Sequence, residues 1–115
     1  MIKRLTLLLI AALLASPALA EDMKMPMGSS ANAADEDFMH SMDRMMKDMA
    51  VKPTGDPDKD FVLMMMPHHQ GAIDMAKIEL QYGKDPTLRK LATDIVAAQE
   101  QEIALMKSWL ASHSK

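Results

Sequence analysis

The chain has 115 residues, 14 of them methionine and none cysteine, with a formal net charge of −3. A small acidic chain lacks the basic face that nucleic acid requires, and it makes one domain with a limited core. Without disulfides, that domain depends on helix packing, a bound metal or a partner chain.

Lys3 and Arg4 form a positive n-region, Leu5 to Ala15 an apolar h-region, and Ala18-Leu19-Ala20 an A-x-A cleavage site. Residues 1–20 therefore read as a secretory signal peptide, too short to span a bilayer. Cleavage after Ala20 leaves 11 basic residues against 16 acidic, a net charge of about −5. No cysteine near the cleavage site offers a lipid anchor, and no later stretch is apolar for long enough to insert in a membrane. A soluble protein of the bacterial periplasm is expected. Residues 21–34 lack periodicity and read as a flexible tail carrying Met23, Met25 and Met27. The tail is either an unstructured leader or a low-affinity copper catch.

Residues 35–50 predict a first helix. On a 3.6-residue wheel Phe38, Met39, Met42, Met45, Met46 and Met49 share one arc, with Ser41, Asp43, Arg44, Lys47 and Asp48 outside it. His40 lies opposite and is expected in solvent. Such a stripe is an amphipathic core face built on methionine, or a row of thioether ligands. The scarcity of Leu, Ile and Val keeps the second possibility open.

Residues 51–57 contain Pro and Gly and read as a linker, and Asp56, Asp58 and Asp60 suit the start of the next helix. Residues 58–82 predict a second helix closed by Gly83. Pro67 should kink it, or break and restart it, one residue before His68-His69. Its apolar face comprises Phe61, Val62, Met65, His69, Ala72, Ala76 and Leu80, with His68 at the edge above Met64 and near Met75. Residues 86–113 predict a third helix, with Asp85 as N-cap and Pro86 first. The short Gly83-Lys84-Asp85 link folds the last two helices into an antiparallel hairpin.

The third helix presents Leu88, Leu91, Ile95, Met106, Trp109 and Leu110 on one face, with Gln99 and Glu102 among them. A buried carboxylate needs a partner. A turn centred near Lys84 brings His69 level with Gln99, and Met65 and Met66 within about a turn of Glu102. The cluster is a hydrogen-bond network that sets helix register, or a metal site whose imidazole Gln99 or Glu102 orients from behind.

Ligand softness selects the metal. Thioethers and imidazoles without thiolate favour Cu(I) or Ag(I), with Cu(II) possible through the histidines. Zinc prefers His, Cys and carboxylate, calcium and magnesium want several oxygens, and a blue-copper centre lacks its thiolate. Enzymatic activity is not expected. There is no cysteine nucleophile, no G-x-S-x-G elbow, no phosphate-cradling glycine loop, and no Glu-x-x-His pair for a di-iron bundle.

The segment Asp60-Phe61-Val62-Leu63-Met64-Met65-Met66-Pro67-His68-His69-Gln70-Gly71-Ala72-Ile73-Asp74-Met75-Ala76 resembles the signature of the CopM-type family of small exported copper-binding proteins. The later run Gln99-x-x-Glu102-Ile103-x-x-Met106-x-x-Trp109-Leu110 is similar to that family's second signature. Thr54-Gly55-Asp56 and Tyr82-Gly83-Lys84-Asp85 resemble its connecting loops. The resemblance covers about residues 36–111. It implies a ferritin-like domain, periplasmic copper binding and delivery in support of copper tolerance, and ligands among His68, His69, the flanking methionines and Met106.

Together these readings give one all-α domain over residues 35–115, an antiparallel helical hairpin with a third, Met-rich helix at its N-terminal side. A ferritin-like bundle has four helices. Either the second helix counts as two segments, or dimerisation completes the bundle. The expected function is a Cu(I)/Ag(I) metallochaperone or buffer that exchanges ions with periplasmic donor or acceptor proteins. Metal would lie on His68, His69, Met64, Met65, Met66 and Met75 with Met106, and Met42, Met45, Met46 and Met49 would close over it or hold further ions. The rivals are a Met-rich module that binds partner helices, and a copper-dependent redox enzyme. A histidine site should weaken below a pH of roughly 6.5, whereas a thioether site should not.

Overall fold

A computed structural model describes residues 29–114. It contains helix α1 (Ser29–Met49), helix α2 (Pro57–Tyr82) and helix α3 (Pro86–Ser112), with no strand among the described residues. Residues 1–20, which read as a signal peptide, and Met23, Met25 and Met27 lie outside them.

Local chemistry sets the helix ends. Asp56 caps α2 by accepting from the backbone N–H groups of Asp58 and Lys59, and Pro57 takes the first turn. Thr54 donates its backbone N–H and its hydroxyl to Asp60, both at 2.8 Å, which folds the linker onto that turn. Gly83 closes α2 with its N–H on the Glu79 carbonyl, 2.7 Å away. Its φ is −70°, so glycine is needed here for space. A β-carbon would stand 2.1 Å from the Glu79 carboxylate. Asp85 caps α3 by accepting from the Leu88 N–H at 2.9 Å. Arg89 donates to the carbonyls of Leu80 and Gly83, at 2.7 and 3.0 Å, and pins the hairpin. At the far end the His113 ring stacks on Trp109, with centroids 4.1 Å apart.

The α2–α3 hairpin, the caps and the α2 and α3 boundaries match the sequence to within a residue. Three expectations are corrected or narrowed. The first helix starts at Ser29, so residues 29–34 are helical and outside any tail. Ser29 to Ala34 contain neither Gly nor Pro, and three alanines favour helix. Secondly, of the two alternatives at Pro67 the break and restart is ruled out, because α2 runs through it as one helix. The lost N–H leaves the Leu63 carbonyl without its usual donor, a local defect that the flanking turns outlast.

The third difference is the layout of the core. Helix α2 lies in the middle, with α1 against one side and α3 against the other, and α1 and α3 do not pack together. The result is a layer of three helices, which buries side chains only along two seams. In the α2–α3 seam Val62, Ile73, Ile103 and Met106 form the core, backed by Met65, Met66, Val96, Trp109 and Leu110. In the α1–α2 seam Ser41 is only 1% exposed. Tyr82 donates to Asp37 at 2.9 Å, which holds the phenol above its ordinary value, and Arg44 pairs with Asp74 at 3.5 Å. With no fourth helix among the described residues, one side of the three-helix layer stays open. Phe61, Leu88 and Leu91, expected in the core, are each at least half exposed. The methionine stripe of α1 also turns that way, leaving Met39, Met42 and Met46 exposed while Ser41, expected outside it, is buried.

Candidate metal site

Successive residues of a helix point about 100° apart, so a His-His pair at the centre of a three-helix layer divides between its two sides. His69 turns to α3. Its Nδ1 lies 2.9 Å from the Met65 carbonyl, an acceptor, so that nitrogen carries a proton. Its Nε2 meets the Glu102 carboxylate. Both bonds form together only with a second proton, on Nε2 or on Glu102. The His69 side chain is 13% exposed, whereas that of Glu102 is 57% exposed. Glu102 is therefore not the buried carboxylate expected from the helix pattern. It reaches in from the rim to meet the imidazole, and its other side stays in water.

The α3 register is shifted as well. His69 is level with Glu102, about one turn beyond the expected level of Gln99. Gln99 Oε1 is buried without a hydrogen-bond partner. Met65 and Met66 pack against the α2–α3 core, and Met106 is buried within it. These expected site residues are brought together, but as a seam in which His69 has both nitrogens committed.

His68 turns the other way. It is exposed, and none of the described hydrogen bonds reaches either of its ring nitrogens; its one partner is the edge of the His69 ring, 6.4 Å between centroids. Met64 lies one turn before it on the same helical face, and Met75 two turns after, both partly exposed. Gly71, three residues on, is where α1 crosses. A β-carbon at Gly71 would stand 2.6 Å from the Met45 sulfur. The antiparallel contacts Asp37–Tyr82, Arg44–Asp74 and Met45–Gly71 fix the α1–α2 register. Extended by one turn, that register places Met49 level with His68.

The helix register thus puts one imidazole, without a hydrogen bond among the described residues, and thioethers of two helices along the same side of the layer. Among the described residues no three His, Cys, Asp or Glu side chains converge on one point. A metal held at His68 would take its remaining ligands from sulfur, which suits a soft monovalent ion. Met46 and Met42 lie on the exposed edge of α1, progressively further than Met49 from the level of His68.

Sequence reasoning missed Gly71 as a site residue. The available signal was a glycine inside an otherwise helical pattern, which marks close approach of another backbone or side chain.

Comparison with known proteins adds a family and a distant relative. A family model described as "Domain of unknown function (DUF305)" matches residues 10–114. An uncharacterized protein of Acanthamoeba polyphaga mimivirus is 45% identical over 53 residues, a stretch that is 46% of this chain and 35% of that protein. The matched stretch is thus about a third of the relative's length.

Proposed function

The chain belongs to the family described as a domain of unknown function, DUF305, and within that family we propose that it is an exported copper-binding protein. It buffers or delivers Cu(I), and Ag(I) by the same chemistry, in the periplasm, in support of copper tolerance. The observation that carries this reading is His68. It is an exposed imidazole with neither nitrogen hydrogen-bonded among the described residues, on the helical face of Met64 and Met75 and beside the Met45–Gly71 crossing.

In this reading His68, Met64 and the α1 sulfurs of Met45 and Met49 bind the ion. His69 is a positioning residue: tied to Glu102 and to the Met65 carbonyl, it locks the rotation of α2 and so the direction in which His68 points. Met75 and the outer sulfurs of Met42 and Met46 supply alternative donors, so an ion can pass from one ligand set to another. The resemblance of the Met-Pro-His-His segment to CopM-type proteins supports the same conclusion. It also suggests a ferritin-like bundle whose fourth place a second chain fills.

One observation favours a second reading, a module that binds partner helices. The open side of the layer forms an apolar trough between Phe38 of α1 and Leu88 and Leu91 of α3. Titration of the purified protein with Cu(I) under ascorbate, against a coloured Cu(I) chelator, separates the two. Competition that His68→Ala/His69→Ala abolishes supports the copper reading. Competition that survives the double variant moves the site to the α1 methionines. No competition leaves the helix-binding module.

A further inference from the structure

The two broad sides of the three-helix layer differ in chemistry. One carries Gln70, Lys77, Glu100 and Lys107, with Arg44 and Asp74 near its α1 edge, and it is finished against water. The other is apolar. Helix α1 presents a ridge of Met39, Met42 and Met46, each about half exposed or more. Helix α2 adds Phe61, Met64 and Met75. Helix α3 adds Leu88, Leu91 and Leu105. Phe61 and Leu105 line a separate cavity with Trp109; at about half exposure, and on the order of 200 Å² for a free large side chain, the other seven present roughly 700 Å² of apolar surface, close to the ~800 Å² per partner of a standard interface. A monomer seldom leaves so large a contiguous patch bare.

The surface is also self-complementary. Beside the α1 ridge lies a trough of about 320 Å³, floored by Ala72 and Ala76 of α2 and Ala92 of α3. Long, unbranched methionines fit a trough floored by alanines, and every copy carries both parts side by side. This is the condition for an isologous two-fold contact. The same open side holds His68 and Met64.

We propose that a second copy of this chain closes the open face, the methionine ridge of each α1 lying in the other's trough, so that His68 and Met64 of one copy meet α1 sulfurs of the other and copper is held between them. The inference rests on the copper reading above and names the partner that completes its site. It also gives an exchange route. Separating the copies uncovers the ion, and a shared site links metal loading to association.

Sedimentation of the purified protein with and without Cu(I), followed by mixing of two variants, tests it. Copper should shift the population toward dimer. Met46→Glu, at a position 63% exposed, should keep the helical circular dichroism signal and leave a monomer. His68→Ala and Met42→Leu/Met46→Leu should each lose about tenfold or more in Cu(I) affinity. Mixed, they form hybrid dimers with one intact shared site, and about a quarter of the wild-type tight sites should return under random exchange. A mixture that regains nothing, or tight Cu(I) binding by a monomer, overturns the shared site and leaves the copper reading standing. A dimer whose association does not respond to Cu(I) likewise overturns the shared site, whereas a wild-type protein that does not compete for Cu(I) at all overturns the copper reading itself.

Discussion

His69 joins α2 to α3 through the Glu102 carboxylate, and this bond divides two adjacent histidines into different roles. With its other nitrogen on the Met65 carbonyl, His69 has no free lone pair, while neither nitrogen of His68 is hydrogen-bonded among the described residues. The single variants should therefore differ. His68→Ala lowers Cu(I) affinity about tenfold or more at nearly unchanged melting temperature. His69→Ala lowers affinity less than His68→Ala does, through the loosened aim of His68, and costs about 1 kcal/mol of stability, since Glu102 is more than half exposed and the pair is partly screened. Chelator competition and thermal melts on the two variants check this. Equal losses of affinity would show that His69 is a ligand.

The α2–α3 hairpin was legible because its signals are local: Asp85 and Pro86 at one helix start, Gly83 at the preceding stop, and apolar periodicity between. The orientation of α1 was not. A wheel reports which residues share a face, and it assumes that the most apolar face is buried. Here the seam is set by Gly71 of α2, which lets Met45 approach, and Ser41 fits the narrow gap while the methionines face the open side. The burial of Glu102 was misjudged for the same reason. A helix in an open layer has one covered flank, so the pattern of α3 overstates what is inside. The pairing of Glu102 with an inward His69 is among the arrangements the sequence suggests, since Glu102 lies only about one turn from the level of Gln99.

Gly71→Ala should destabilise the protein despite the ~1 kcal/mol that alanine gains over glycine in a helix interior. The new β-carbon would meet the sulfur, Cγ and Cβ of Met45 at 2.6, 3.0 and 3.2 Å. The sulfur can swing away, but the Cβ moves only with α1. Overpacking of this kind costs about 1–3 kcal/mol, so the net effect is loss. Met45→Ala added to Gly71→Ala should recover part of it. The double variant should be more stable than the sum of the single changes implies, a coupling that chemical denaturation of all four proteins measures.

The α2 start gives a pH dependence with a definite sign. The backbone N–H of Thr54, and then its hydroxyl, hold the Asp60 carboxyl below its ordinary 3.8. A carboxyl depressed in the folded state contributes stability that is present above the unfolded value and lost as pH falls through the folded one. Asp60→Asn should therefore lower the melting temperature most near neutral pH. The gap from wild type should narrow as pH falls below 3.8, once the wild-type carboxyl is protonated too. Melts of both proteins across that range check it. A gap constant with pH would assign the contribution to packing in the linker.

Met64→Leu tests whether sulfur or shape matters at the open face. Leucine nearly conserves volume and apolar character, and Met64 is 39% exposed, so the change should move stability by well under ~1.5 kcal/mol. It removes the soft donor one turn before His68. If that thioether binds, Cu(I) affinity falls about tenfold, a loss of roughly 1.4 kcal/mol in binding with almost none in folding. The same substitution at Met66, in the α2–α3 seam, should leave copper binding intact, because its side chain packs against Val62, Ile73, Ile103 and Met106. Parallel titrations of Met64→Leu and Met66→Leu thus compare two neighbouring sulfurs with opposite surroundings. An equal response from both would remove the α1-facing side of α2 as the site.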